Sequence, residues 1–177
     1  MNTEHSLMSS GEPVRCAVYA RTASSFQTKN DAAADEQIER CREAARKNGW
    51  VVVDDCVRID RGKSGTSMQG RSGLQELIAL AATRPRPFDY LICVSTDRVA
   101  RNLDTAGVII GTLTFNDVRL YFVSGDLDSA DQNFWCGLCC KLRDDEVFSE
   151  ELGKRIRRGE LAAAENETAT VPAASTR

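Results

Sequence analysis

The chain has 177 residues, of which 42% are hydrophobic and 28% charged, a composition typical of one globular domain and not of a disordered chain. No apolar run approaches the ~20 residues that span a bilayer, and the first residues lack the basic-then-apolar pattern of a signal peptide. We therefore expect a cytoplasmic protein with no membrane partner. The net charge of −3 argues mildly against a dedicated nucleic-acid binder, although the distribution of charge matters more than its sum.

Hydrophobic periodicity predicts the elements in chain order. Residues 1–13 show no periodicity and are expected to be disordered. The predicted elements are a strand over 14–20, a helix over 31–49, a strand over 50–57, a long loop over 58–72, a helix over 73–82, a strand over 88–95, a helix over 102–117, a strand over 118–124 and one long helix over 129–158. A low-complexity tail, 161–177, is expected to be disordered.

This alternation of strands and helices predicts the fold class. It indicates an α/β domain with a mostly parallel sheet covered by helices on both faces, followed by the long helix. In such sheets, functional residues lie beyond the carboxyl ends of the strands. Three of the predicted strand ends carry polar and charged residues, in the segments 21–27, 60–71 and 97–101. We expect all three segments to meet at one edge of the sheet.

The side chains at this edge indicate chemistry on phosphate. Four arginines are expected there, namely Arg21, Arg71, Arg98 and Arg101. Guanidinium groups bind phosphate oxygens through paired hydrogen bonds, and fixed arginines stabilise the negative charge of a phosphoryl-transfer transition state. The sequence lacks the glycine-rich loop of nucleotide triphosphatases, and no cluster of histidines or acids suggests a metal. We expect no cofactor and no metal.

Seven cysteines leave an alternative to consider. Cys136, Cys139 and Cys140 form a CxxCC pattern that could belong to a zinc site. The pattern has no second CxxC pair, and the sole histidine is His5. We therefore interpret these cysteines as small buried hydrophobic residues of the long helix.

Together, these motifs resemble the catalytic domain of the serine site-specific recombinases, the resolvase/invertase family that includes the large serine integrases. The motifs are "YAR…Q" after the first strand, "D…SGTS…R" after the second and "DRVARN" after the third, and the similarity covers residues 14–160. It implies strand exchange of double-stranded DNA, in which a serine attacks the scissile phosphate and forms a 5′-phosphoserine link, leaving a free 3′-hydroxyl. It also implies a homodimer that assembles into a tetramer at synapsis, with the long helix as the subunit interface.

The resemblance also implies roles for individual residues. The four arginines would bind phosphate, and the supporting polar residues would be Gln27, Asp60, Ser64 and Asp97. Relative to the loop usual in this family, the loop "SGTSMQGR" has one extra residue before Arg71. The nucleophile of this family stands two residues after the arginine of the first motif, and that position is Ala23 here.

The missing nucleophile leaves two hypotheses. A bulge at the strand end could turn Ser24 toward the arginines, which would make Ser24 the attacking residue. Alternatively, the chain is a catalytically degenerate protein that keeps the fold and binds DNA or partner subunits without cutting. Strand alternation favours the second, since Arg21 and residue 23 share one face while Thr22 and Ser24 share the other. A third hypothesis is phosphotransfer to a small molecule.

A basic run near the end of the long helix suggests a second contact with DNA. It comprises Lys154, Arg155, Arg157 and Arg158, which could bind the DNA backbone without choosing a sequence. Relatives carry a DNA-targeting domain after the long helix, where this sequence has an Ala/Thr-rich tail. We expect either a catalytic-domain fragment or a protein that takes its specificity from partners.

Overall fold

The computed structural model describes residues 12–22, 27–63 and 68–144, with only the backbone of 27–30. The elements follow in the order β1 (Arg15–Arg21), α1 (Gln27–Lys47), β2 (Val51–Asp60), α2 (Ser72–Ala81), β3 (Tyr90–Cys93), α3 (Thr96–Val99), α4 (Leu103–Phe115), β4 (Arg119–Phe122) and β5 (Leu127–Asp128). A further helix, α5, begins at residue 134 and is described to residue 144. None of the helices in these ranges is both long and apolar enough to cross a bilayer.

The five strands form one sheet in the order β2-β1-β3-β4-β5. The first four are parallel, and β5 pairs antiparallel with β4. The expectation of a mostly parallel sheet is confirmed. The last residues of β1 and β2 are direct partners in the ladder, so Arg21 lies opposite Asp60. The carboxyl ends of these two neighbouring strands are therefore level, and the residues that follow them begin at the same edge of the sheet.

Helices cover both faces of the sheet, also as expected. On one face, the buried side of α1 packs Cys41 and Ala45 against Cys16 and Val18 of β1. On the other face, α2, α4 and α5 bury their apolar residues against the alternate residues of β1, Ala17 and Tyr19. Arg21 lies two residues after Tyr19 in the strand, so its side chain points to the same face of the sheet, the one that α2 and α4 cover.

Some boundaries differ from the sequence-based expectations. Strand β2 extends to Asp60 instead of ending at 57, so Asp60 belongs to the sheet and not to the following loop. The one-turn helix α3 and the short strand β5 were not expected, since neither is long enough to show a period. Helix α5 begins at 134 and not at 129, because 129–133 form turns. Its course beyond 144, the predicted tail and residues 1–11 lie outside the described residues.

The cysteine prediction was wrong. Cys136, Cys139 and Cys140 are exposed on the first turns of α5, whereas the buried side of this helix carries Phe134 and Leu138. Leu138, which directly precedes Cys139, and Phe134, one turn earlier, take the core positions, and helical periodicity permits this side of the helix to be buried as readily as the other.

An ion pair between Asp89 and Arg15 links the amino-terminal ends of the neighbouring strands β1 and β3. The carboxylate of Asp89, just before β3, accepts hydrogen bonds from the backbone N–H of Arg15 at 3.0 Å and from its Nε and Nη2 at 3.3 and 3.2 Å. Arg86 Nε adds a fourth bond at 3.3 Å. Burial alone would raise the pKa of Asp89, but the bonds from Arg15 and the nearby charge of Arg86 outweigh it and hold this pKa below its ordinary value.

The Asp89 contacts predict a pH-dependent contribution to stability. We expect Asp89→Asn to lower the free energy of unfolding at pH 7 by about 1–2 kcal/mol, because hydrogen bonds to a charged acceptor are lost. Since the folded-state pKa lies below the unfolded one, this difference is complete above the ordinary pKa of about 4 and disappears as the pH falls through the folded-state pKa. Urea unfolding of both proteins between pH 3 and 7 measures it.

Asp54→Asn is the matched control, because Asp54 pairs with Arg42 on the surface, with 78% of its side chain exposed. This control should change the free energy of unfolding by less than about 0.5 kcal/mol at every pH. An Asp89→Asn penalty that stayed constant from pH 7 to pH 3 would contradict the role given to the carboxylate.

Candidate functional site

The carboxyl edge of the sheet is built around the buried guanidinium of Arg21. This side chain is fully buried at the end of β1. Its Nε donates to the carbonyl oxygen of Arg98 at 3.1 Å, and its Nη2 donates to that of Asp97 at 2.6 Å. Its Nη1 donates to the carbonyl oxygen of Lys63, after β2, at 2.6 Å. Arg21 therefore joins the segments that follow three neighbouring strands.

Arg71 is a second fully buried arginine at the same edge. Its Nη2 donates to the carbonyl oxygen of Arg98 at 2.8 Å, so both buried guanidiniums share this acceptor. Its Nη1 donates to the carbonyl oxygen of Val99, and its Nε donates to the Tyr19 hydroxyl at 3.1 Å. The guanidinium carbon also lies 5.4 Å from the centre of the Tyr19 ring, within cation–π range.

The acceptors of these arginines are available because α3 is a single turn. Helix α3 ends at Val99, and Ala100 is extended, so the last carbonyls of the turn have no helical N–H groups ahead of them. The carbonyl oxygens of residues 97–99 instead accept from Arg21 and Arg71. The negative end of a short helix thus faces two buried positive charges, which is a favourable arrangement.

Asp60 secures the other side of this network. Its carboxylate is 3% exposed and accepts from the Tyr19 hydroxyl at 2.9 Å. It also accepts from the first backbone N–H groups of α2, those of Gly73 at 2.9 Å and Leu74 at 3.2 Å. A Cβ at Gly73 would lie 3.2 Å from the carboxylate and 3.1 Å from the Arg58 Cβ, so a larger residue would require these neighbours to shift by a few tenths of an ångström. Asp60 therefore fixes the start of α2, where Arg71 stands.

Asp97 and Arg98 form the partly exposed portion of the site. The carboxylate of Asp97 accepts from the Ser95 hydroxyl and pairs with Arg98 Nη2 at 2.9 Å. Arg98 Nη1 donates to the carbonyl oxygen of Arg21 at 2.8 Å. Because 27% of the Arg98 side chain is exposed, this guanidinium reaches the surface, in contrast to those of Arg21 and Arg71.

The pKa of Arg21 reflects the positive charges that surround it. Burial and the nearby charges of Arg98, Arg101 and Arg71 lower its pKa to about 10, while Asp97 partly offsets them. At pH 7 the group still carries its charge. Arg101 thus lies near the same centre, and within the described residues it has neither a hydrogen bond nor an ion pair. An anion at this edge would meet a net positive charge, because the four arginines outnumber the carboxylates of Asp60 and Asp97.

The structure brings together those predicted site residues whose side chains it describes. Arg21, Asp60, Arg71, Asp97 and Arg98 form one connected set of contacts, and Arg101 lies beside it. Gln27 stands at the start of α1, where only the backbone is described. Other predicted site residues, Ser24, Ser64, Lys154, Arg155, Arg157 and Arg158, lie outside the described residues, as does Ala23.

Two residues of the site were missed in the sequence. Tyr19 bridges Asp60 and Arg71, and its position two residues before Arg21 on the same strand face was a usable signal. Gln37 of α1 exchanges two bonds with the backbone of Arg21, at 3.3 Å each, and no sequence pattern could have indicated it. Thr22, which follows Arg21 directly, is 4% exposed, and its hydroxyl has no hydrogen-bond partner in the described ranges.

Metal ligation has no support in the described residues, where no group of three or more histidines, cysteines or acids is placed to hold an ion. The side chains present suit a phosphate ester instead, since the exposed guanidinium of Arg98 lies at the edge of a fixed positive cluster.

Comparisons with known proteins agree on one family. The family model described as "Resolvase, N terminal domain" matches residues 16–169. The N-terminal catalytic domain of TP901-1 integrase is 26% identical, with 78% of this chain and 98% of that chain covered and a TM-score of 0.60. The C-terminal catalytic domain of ISC1926 TnpA, an IS607-like serine recombinase, is 28% identical over 62% of this chain and 70% of its own, with a TM-score of 0.52.

A third structure supports the fold alone. A resolvase family site-specific recombinase from Streptococcus pneumoniae is 21% identical, with 86% of this chain and 99% of that chain covered and a TM-score of 0.60. The comparison with curated proteins gives no significant match. Since the family model spans most of the chain and the similar structures include serine recombinase catalytic domains, the chain belongs to the resolvase N-terminal domain family of serine recombinases.

Proposed function

We propose that this chain is the catalytic domain of a DNA site-specific recombinase that cuts and rejoins duplex DNA through a phosphoserine link, without a metal or other cofactor. The observation that carries the proposal is the convergence of arginines at one edge of the sheet, where Arg21 and Arg71 share the carbonyl oxygen of Arg98. Membership of the serine recombinase family adds DNA as the class of substrate.

In this proposal, the surface arginines and the buried arginines have different roles. Arg98 and Arg101 contact the scissile phosphate, because Arg98 reaches the surface and Arg101 has no competing partner among the described residues. Arg21 and Arg71 are committed to backbone carbonyls and act by position and by charge. A fixed positive field favours the transition state, in which negative charge grows on the phosphate oxygens, over the ground state.

The proposed nucleophile is Ser24. Its oxygen forms a bond to phosphorus while the bond to the 3′-oxygen breaks, which leaves a 5′-phosphoserine and a free 3′-hydroxyl. Rejoining reverses these steps and regenerates the serine. Asp97 positions Arg98 through their ion pair. Asp60 positions the start of α2 and Tyr19, and Gln27 and Ser64 are proposed as supporting polar groups.

The proposal also covers the assembly of subunits and their contacts with the DNA backbone. Family membership implies oligomers, and we propose a homodimer on each crossover site and a tetramer at synapsis, with the long helix as the interface. The basic run Lys154, Arg155, Arg157 and Arg158 is proposed to contact the DNA backbone. Such contacts add affinity that depends on salt and not on sequence.

A second candidate function rests on Ala23. If residue 23 is the position from which the family's serine attacks, this chain cannot cut DNA, because alanine has no nucleophilic atom. The protein would then bind DNA or mix with active subunits without forming a covalent link. The arginine cluster serves binding equally well in that case.

The nucleophile can be tested directly. We expect the wild-type protein to form a covalent adduct on a pool of nicked duplexes of randomised sequence, visible on a denaturing gel. Ser24→Ala should reduce adduct formation by at least about 10³-fold, because the attacking atom is removed. Ser25→Ala is the matched control and should leave the adduct in place.

Ala23→Ser separates the two candidates. Adduct formation by Ala23→Ser, combined with none by the wild type, would reject Ser24 as nucleophile and support the non-cleaving protein. Absence of an adduct from all four proteins would refute the cleavage reaction itself.

The different roles proposed for the buried and the surface arginines predict different effects for two alanine variants. Arg71→Ala should lower the free energy of unfolding by about 3 kcal/mol or more, since it leaves the carbonyls of Arg98 and Val99 and the Tyr19 hydroxyl without a donor. Arg101→Ala should change it by less than about 0.5 kcal/mol and lower the cleavage rate by about 10²-fold. Thermal unfolding and single-turnover cleavage measure the two effects.

Arg71→Lys is a second variant to measure. One ammonium group cannot reproduce the three hydrogen bonds of the planar guanidinium, so Arg71→Lys should be little more stable than Arg71→Ala. A marked loss of stability on Arg101→Ala would contradict the role of Arg101 as a surface contact.

A further inference from the structure

A cleft opens beside the arginine cluster, on the face of the sheet that carries α1. It has a volume of about 330 Å³ and lies between the first half of α1 and the ends of β3 and β4. The residues that line it are Ala33, Glu36, Gln37, Arg40, Val94, Ser95, Arg98 and Ser124. Arg98 is common to the cleft and the cluster, so the two are continuous.

The wall between the cleft and the cluster is fixed by hydrogen bonds. The carbonyl oxygen of Arg21 accepts from Arg98 Nη1 at 2.8 Å and from Gln37 Nε2 at 3.3 Å. Gln37 Oε1 in turn accepts from the backbone N–H of Arg21 at 3.3 Å. Any group bound in the cleft therefore lies one side chain away from the end of β1, where the first motif of the active site begins.

The cleft contains an arginine, Arg40, that forms no ion pair in the described ranges. Of the arginines in the described part of α1, Arg42 pairs with Asp54 at 2.7 Å and Arg46 pairs with Glu39 at 2.8 Å. Arg40 has no hydrogen bond or ion pair in the described ranges and is exposed at the cleft. Glu36, one turn earlier, is the sole acid among the lining residues.

The chemistry of the lining suits a phosphodiester. Arg40 provides a charged donor and the hydroxyl of Ser124 a neutral one, as proteins use for phosphate oxygens of nucleic acids. The two N–H groups of the Gln37 amide are already donated to the carbonyl oxygens of Arg21 and Ala33, so Gln37 shapes the wall of the cleft. Arg98 lines both the cleft and the arginine cluster, so a strand whose scissile phosphate lies at Arg98 passes the mouth of the cleft with a neighbouring phosphate.

We infer that this cleft binds a DNA backbone phosphate next to the scissile one, with Arg40 as its principal contact. The inference rests on the proposed function, because it takes duplex DNA as the substrate. Arg40 then holds the register of the strand against the arginine cluster without taking part in the chemistry, and Glu36 weakens binding by repelling the phosphate.

The salt dependence of DNA binding tests this. Fluorescence anisotropy with a labelled 30-base-pair duplex of arbitrary sequence gives the slope of log affinity against log salt concentration. We expect Arg40→Ala to reduce this slope by about 1, as for the loss of one phosphate contact, and to weaken binding about fivefold near 100 mM salt. Glu36→Gln should tighten binding by about twofold.

Arg42→Ala is the matched control, because Arg42 stands two residues along the same helix and is paired with Asp54. It should leave the slope unchanged. Equal effects of Arg40→Ala and Arg42→Ala would show general surface attraction and overturn the inference. Titration calorimetry with inorganic phosphate provides a further test. If Arg40→Ala abolishes phosphate binding but leaves DNA binding unchanged, the inference that the cleft binds a DNA phosphate is overturned in favour of a small phosphate ligand.

Arg101→Ala separates this inference from the proposed function. If Arg101→Ala weakens DNA binding while Arg40→Ala does not, the inference about the cleft fails alone. If neither variant affects DNA binding, the proposal that the arginine edge binds DNA fails with it.

Discussion

The site depends on two buried guanidiniums that bind the carbonyl oxygens of one short helical turn. Arg21 and Arg71 come from different parts of the chain, yet both donate to the carbonyl oxygen of Arg98. Two positive charges this close repel each other, and burial increases the cost. The carbonyls of residues 97–99, the cation–π contact with Tyr19 and the carboxylates of Asp60 and Asp97 offset that cost. The end of β1, the start of α2 and the turn α3 are held together as a result.

This arrangement explains how one set of like-charged residues can fill two kinds of role. The buried arginines are saturated by the protein and keep a fixed position, whereas Arg98 is only partly engaged and meets solvent. In the proposed reaction, this fixed inner pair would supply a field that needs no reorganisation when charge develops on a substrate. In this chain, the two inner arginines are therefore part of the scaffold that holds the edge together.

The two faces of the sheet contribute differently to this edge. The face with α2, α4 and α5 buries the main core and carries Tyr19, Arg21 and Arg71. The face with α1 is more polar at its carboxyl end, where Gln37 binds the backbone of Arg21 and the cleft opens. The point between β1 and β3, where the strand order reverses, thus has charged side chains on both sides, as expected for a ligand site in a doubly wound sheet.

The sequence alone determined the α/β class, the parallel sheet with helices on both faces and the edge at which the arginines gather, because these follow from local periodicity and from strands ending at one side. It also fixed the family, through three motifs at successive strand ends. Only the tertiary structure decided which arginines are buried, that Asp60 caps α2 and that Cys136, Cys139 and Cys140 are exposed. Those outcomes depend on contacts between residues far apart in the chain: the carbonyls that satisfy Arg21 lie 42, 76 and 77 residues away. No local pattern encodes such partners.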